Sequence, residues 1–298
     1  MSDQGDGSGE WTLPSPEIFA RGDTTAVNPG GAELTFAGLW RDSNFGSAFD
    51  ADRLTVPVGV DDDGHAAFAE LSNDAILLVS GPHEPGRRSA LRCILAGVSM
   101  GATPRDVQLL LTDFGGDGYG DLAKVPHVAD APIIDPREAV HLLTDQMTEV
   151  NTRLDEMARA GVRNINRLDP DSRPPRIVIV IDEVLSLLRT DEASTQQSLS
   201  FLAGRGRSAG VHTILATGAP LSMLDFVASN VTEQIAFDAS LISGSRVPSS
   251  ALPDGRLGPG EFLWEPMEAT YPHRRRLVSV TPDEAAALNA HWRRQSPR

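Results

Sequence analysis

Four short apolar runs punctuate the chain: Ala75–Ser80, Val107–Thr112, Ile177–Ile181 and Val211–Ala216. They are near-continuous rather than alternating, the pattern of strands buried on both faces. Helical spacing between them makes the predicted sheet mostly parallel. Predicted helices cover Ser89–Ser99, Arg137–Ala160 and Thr195–Ser208. In the long middle one, Val140, Leu143, Met147, Val150, Leu154 and Met157 recur at three or four residues, an amphipathic stripe. Upstream, Leu54–Val60 and Ala66–Leu71 flank Asp61-Asp62-Asp63-Gly64 and predict a β-hairpin with a polar turn. Downstream, Ile235–Phe237, Glu261–Trp264 and Arg276–Val280 extend the sheet, and Pro282 opens a last helix through Trp292. Residues 1–34, rich in Gly, Asp, Pro and Ser, read as a mobile tail. Residues 35–53 carry scattered apolar side chains and read as a short packed segment. The predicted organisation is an acidic, largely flexible stretch over 1–53 and one α/β domain over 54–298.

Composition narrows the function classes. A length of 298 residues suits one large domain or two small ones, and 40% apolar content supports a real core. No apolar stretch approaches the roughly 18 residues a membrane span needs, and no basic region followed by an apolar one opens the chain as a leader would. The single cysteine, Cys93, cannot form an internal disulfide, and no Cys/His cluster suggests zinc. These features predict a soluble, cytoplasmic protein. The formal charge is −15, and residues 1–64 hold 12 acidic side chains against 3 basic ones. Such a field disfavours nucleic acid overall and leaves room only for local basic surfaces. The best of these is Pro272-His273-Arg274-Arg275-Arg276, which reads either as a phosphate contact or as a solvated strand edge.

Candidate chemistry lies at two strand ends. After Ala75–Ser80 comes Gly81-Pro82-His83-Glu84-Pro85-Gly86-Arg87-Arg88-Ser89, followed by helical Ala90–Ile94. The placement suits a phosphate-binding loop, with backbone N–H groups turned inward and a helix N-terminus behind them. The usual pattern is GxxxxGK[ST], in which Lys reaches the phosphates and the hydroxyl ligates Mg²⁺. Here Arg87 stands at the Lys position and Arg88, which cannot coordinate Mg²⁺, at the hydroxyl position; Ser89 comes one residue late. Alone, this segment is a weak signal that also reads as an ordinary strand-to-helix turn, with His83 and Glu84 either catalytic or simply its polar residues. The run Ile177–Ile181 ends in Asp182-Glu183, the shape of a Walker B element, where Asp supports Mg²⁺ and Glu orients the attacking water. The two in this order favour phosphate binding.

Over about residues 54–293 the chain resembles the FtsK/SpoIIIE motor ATPases, which include the EccC ATPases of type VII secretion. The resemblance is carried by Thr112-Asp113-Phe114-Gly115-Gly116 with Val125-Pro126-His127-Val128, and by Ala160-Gly161-Val162-Arg163-Asn164-Ile165. Gly206-Arg207-Ser208-Ala209-Gly210-Val211-His212 through Thr217, Gly258-Pro259-Gly260-Glu261-Phe262-Leu263, and Val280-Thr281-Pro282-Asp283-Glu284 to Trp292 complete it.

The resemblance implies a RecA-like P-loop NTPase, a mostly parallel central sheet flanked by helices, working as a hexameric homo-oligomeric ring with ATP and Mg²⁺ between neighbours. It places Gly81, Gly86, Arg87 and Arg88 on the phosphate loop, with Ser89 substituting for the displaced hydroxyl. Asp182 falls on the Mg²⁺-supporting acid, Glu183 on the catalytic acid and Thr217 at the end of the sensor strand, where Gly218 replaces the family's Gln. Arg153 and Arg246 are the candidates for an arginine acting on a neighbour's site; the alternative for both is a solvated face. Arg88, Gly218 and the missing Lys together predict weakened hydrolysis.

Three readings follow. One is a DNA-translocating motor subunit acting on duplex DNA, any membrane anchor or second motor being a separate chain. Another is an EccC-like export ATPase or accessory subunit acting on protein clients. The third is a non-catalytic pseudo-ATPase serving as an interaction subunit.

Overall fold

The computed structural model describes residues 11–19, 35–41, 53–73, 75–82, 84–116, 118–242, 247, 252, 256–266 and 269–295. Among them, nine strands form one sheet: β1 (Thr55–Val60), β2 (Ala66–Glu70), β3 (Ile76–Ser80), β4 (Val107–Leu111), β5 (Arg176–Ile181), β6 (Val211–Thr217), β7 (Val231–Ala236), β8 (Glu261–Glu265) and β9 (His273–Arg276). The order is β2-β1-β9-β8-β7-β3-β6-β5-β4. From β7 to β4 all pairings are parallel, whereas β8, β9, β1 and β2 add antiparallel strands beside β7. The sheet is thus parallel in its centre with an antiparallel wing.

Strands β3, β5 and β6 are buried at every position, as their unbroken apolar runs require. Strand β4 lies at the sheet edge and alternates buried with half-buried residues. Its outer side is shielded by the segment around His127–Ile133, whose backbone bonds to Leu109 and Leu111.

Two helical layers cover the sheet. On one face lie α1 (Phe36–Arg41), α2 (Glu84–Gly101) and α7 (Pro282–Gln295), packed on Leu77, Val79, Val178, Val180 and Ile214. On the other lie α3 (Pro136–Arg159), α4 (Val184–Thr190), α5 (Glu192–Arg205) and α6 (Asp225–Ala228), packed on Ile76, Leu78, Ile179, Ile181 and Leu215. Thr281 and Glu284 form a capping box at the start of α7: the Glu284 N–H donates to Thr281 Oγ1 at 3.2 Å and the Thr281 N–H to Glu284 Oε2 at 2.7 Å. The other Glu284 oxygen accepts the Ala37 N–H at 2.6 Å and so ties α1 to α7.

Several expectations shift. Part of the predicted tail is packed: Phe19 is buried, Trp11 lies on Trp292 with ring centroids 5.6 Å apart, and Gln295 bonds both the N–H and the carbonyl of Thr12. The packed segment 35–53 is represented by α1, whose Phe36 and Trp40 enter the main core; its remainder, apart from Thr35 and Arg53, lies outside the described residues. The helix expected over Thr195–Ser208 begins earlier, at Glu192, and a second helix, α4, follows directly on Glu183. The last strand falls on His273–Arg276 rather than Arg276–Val280, because Val278 and Val280 turn into the core.

Candidate functional site

The centre of the sheet sets the position of the site. β3 runs between β6 and β7, yet its crossover through α2 leads to β4 at the far edge. This is a topological switch point, and its crevice opens at the carboxyl ends of the strands. Ser80 pairs in register with Thr217 and Ala236, which brings Gly81, Gly218 and Phe237 together. Asp182 and Glu183 arrive from the end of β5.

The loop is shorter than its sequence implies. Helix α2 starts at Glu84, so Gly86, Arg87, Arg88 and Ser89 stand inside a helix rather than on an open cradle. Pro85 does not prevent this, because a proline in the first helical turn removes an N–H that has no intrahelical partner. Neither Gly81 nor Gly86 adopts positive φ. Both are small because Phe237 packs against them: a Cβ on Gly81 would lie 2.8 Å from Phe237 Cβ, and one on Gly86 3.2 Å from its ring. His83 and the side chain of Glu84 lie outside the described residues.

Arg87 turns inward. It is 7% exposed; Nη1 donates to the Gly81 carbonyl, and Nη2 donates to Glu183 Oε2 at 3.2 Å. The same Glu183 oxygen accepts the Gly218 N–H at 3.3 Å, while Oε1 accepts the Leu185 N–H at 3.3 Å and caps α4. Glu183 is therefore held on three sides by the chain itself.

Asp182 is also engaged. Thr112 Oγ1 donates to Oδ1 at 2.7 Å and the Phe114 N–H to Oδ2 at 3.0 Å. Burial nevertheless pushes its carboxyl above the usual range, with the Asp113 charge adding to the effect. Between α2 and these acids is a cavity of about 10 Å³ lined by Arg87, Arg88, Leu91, Asp113, Tyr119 and Asp182, room for about a single water. Ser89 does not line it. Mg²⁺ between Asp182 and a loop hydroxyl does not fit these residues: Arg88 takes the hydroxyl's place in the sequence, Ser89 does not line the cavity, and the Arg88 side chain lines it beside Asp182.

Other predicted residues fall elsewhere. Thr217 is fully buried, and its Oγ1 accepts the Ala219 N–H at 3.0 Å, closing the turn after β6. Arg153 is neither on a solvated face nor directed at a neighbour. It is 4% exposed, with Nε on Glu149 at 2.7 Å and Nη1 on the Pro175 and Ala209 carbonyls at 2.9 and 3.2 Å. Arg246 lies outside the described residues. The basic cluster is offset by acids: Arg274 pairs with Asp62 at 2.7 Å and Glu261 at 3.6 Å, and Arg275 stacks on Trp264 at 5.5 Å. Sequence reasoning missed Tyr119, Gly118 and Phe237 as site residues, and treated Thr112 and Asp113 only as parts of a recurrent string.

The FtsK/SpoIIIE family model matches residues 46–223, more than half of the chain. The DNA translocase FtsK of Streptomyces coelicolor is 27% identical over 271 residues, covering 84% of this chain and 29% of that protein. FtsK of Lactiplantibacillus plantarum is 29% identical over 236 residues, covering 74% and 30%. The chain thus spans about a third or less of the length of these relatives. Among solved structures, the cytoplasmic domain of the Thermomonospora curvata type VII secretion ATPase EccC superposes with a TM-score of 0.70 at 20% identity, covering 88% of this chain and 35% of that one. The conjugation coupling protein TcpA, solved with ATPγS, superposes with a TM-score of 0.67 at 18% identity, covering 92% and 76%. These two similarities establish the P-loop ATPase motor fold.

Proposed function

Because the chain belongs to the FtsK/SpoIIIE family, we propose that it is a motor-type subunit that holds ATP at the β3–α2 switch point, hydrolyses it weakly, and acts in translocation of duplex DNA. The observation that carries the weakened hydrolysis is the contact of Arg87 with Glu183, reinforced by the Gly218 N–H. Phosphoryl transfer depends on positioned charge and a positioned water. Here the glutamate that would align the water is an acceptor for the chain's own donors. TcpA, a neighbour in fold, was solved with ATPγS, which supports a nucleotide-holding reading for this chain. ATP meets the guanidinium of Arg87 only when that group leaves Glu183, so binding and release of Glu183 are one event. A ring of like subunits, or an assembly with a membrane-anchored or second motor chain, is the arrangement this reading takes from its family.

A second reading, a subunit of an EccC-like export ATPase acting on protein clients, is favoured by charge. The chain carries −15 overall, and the one basic strand is countered by Asp62 and Glu261. Band-shift titrations with duplex DNA over a salt series separate the two. Binding whose affinity falls steeply with salt supports the DNA reading, because each phosphate contact releases counterions. No retention at low salt removes the DNA reading, and binding of an export substrate's tail then selects the protein-client one.

A further inference from the structure

We propose that Arg88 is the built-in cation of the nucleotide site, so that this chain takes a nucleoside polyphosphate without a divalent metal. The inference rests on the nucleotide-holding reading above and specifies the form of the ligand.

Geometry comes first. Arg88 occupies the position at which the loop pattern calls for a metal-ligating hydroxyl, and it lines the small cavity together with Asp113, Asp182 and Tyr119. Gly118 marks how closely these groups converge. A Cβ there would lie 2.9 Å from Arg88 Nε, 3.2 Å from Arg88 Cζ and 2.8 Å from Asp113 Oδ1. A side chain at this position would have to displace the guanidinium or the acid from the place each takes. The Gly118 N–H in turn donates to Asp113 Oδ2 at 2.6 Å and fixes that carboxylate. One positive group is thus seated against the acids that would otherwise support a metal ion, and a divalent ion entering there would meet it as a like charge.

The unfilled valences around the cavity point the same way. Arg87 Nε and the Tyr119 hydroxyl are both buried and have no hydrogen-bond partner. Arg87 Nε is a donor only. The Tyr119 hydroxyl carries its proton at neutral pH and can donate it. The carboxylates that line the cavity do not satisfy either group, and a phosphate oxygen would supply each with an acceptor. A metal ion would leave both donors as they are. A guanidinium also suits the task, because it presents its donors in a planar fork that matches phosphate geometry.

The test is a binding titration, read by the anisotropy of a ribose-labelled fluorescent ATP analogue added to the chain in excess EDTA and again in millimolar Mg²⁺. The expected result is a Kd that differs by less than about threefold between the two conditions, and an Arg88→Ser variant whose binding is at least about tenfold weaker in EDTA than in Mg²⁺. Native binding that weakens about tenfold or more in EDTA overturns the inference while leaving the nucleotide-holding reading intact. So does an Arg88→Ser variant that, folded by circular dichroism, binds like the native chain in both conditions. Absence of binding by the native chain in both conditions overturns the nucleotide-holding reading itself, and the inference with it.

Discussion

The Arg87 guanidinium donates to the Glu183 carboxylate across 3.2 Å, joining the residue at the loop's lysine position to the one at the catalytic-acid position. Arg87 is almost wholly buried, and its side chain is 8% exposed against 25% for Glu183. Such a pair is costly to break from one side, because the remaining charge loses its partner. Partial exposure of the glutamate moderates that cost. A double-mutant cycle with Arg87→Met and Glu183→Gln, followed by urea unfolding, is expected to give a coupling of about 1–2 kcal/mol. Additive effects would mean that the two side chains do not hold each other in solution.

His127 is expected to make stability depend on acid. Its Nε2–H donates to the Ala102 carbonyl at 2.8 Å, its Nδ1 has no partner, and its ring stands edge-on to Trp292 at 4.8 Å. Burial pulls its pKa down to about 4, against the weaker opposing effects of the Ala102 carbonyl and Asp106. The folded state therefore holds the neutral ring while the unfolded chain takes up a proton below about 6.5. Stability from this group is complete above that pH and is lost as the pH falls toward 4, on the order of 3 kcal/mol in all. Urea unfolding at several pH values should show the slope in the native chain and a flatter one in His127→Gln, which can still donate to Ala102. Parallel slopes would remove His127 as the cause.

Gly97 is expected to resist replacement even by the best helix former. It lies within α2, where a Cβ would meet Pro57 Cδ of β1 at 2.3 Å. Alanine gains about 1 kcal/mol of helix propensity over glycine, but overpacking of a buried contact costs about 1–3 kcal/mol. Gly97→Ala should therefore lower the Tm, by about 2–4 °C for each kcal/mol of net loss. A raised Tm would show that helix and strand separate freely.

Much of the scaffold was legible because its cause is local. Strands β3, β5 and β6 are unbroken apolar runs, and the stripe on α3 has helical spacing, so both are set by burial alone. The antiparallel wing was harder to place, since β9 is His273–Arg276 and its charge is balanced only by residues distant in sequence, Asp62 and Glu261. Pro85 read as part of a loop, whereas in the first turn of α2 it costs no hydrogen bond. Asp182 and Glu183 were found from the strand that ends in them, but their partners were not. Thr112 and Gly218 reach the acids through pairing of β4, β5 and β6, a relationship that no spacing along the chain encodes. Arg153 is the clearest case. Its guanidinium is buried because two carbonyls, of Pro175 and Ala209, await it in the folded chain.

The central claim is that Glu183 is held in a way that lets nucleotide be bound with little turnover. ATP hydrolysis by the chain, with and without duplex DNA and with Glu183→Gln as the blank, tests it most directly. The account predicts a rate within about twofold of the blank in both conditions, far below the roughly 10 s⁻¹ typical of enzymes. Turnover at about 10 s⁻¹ or above that is stimulated by DNA and lost in Glu183→Gln would contradict it.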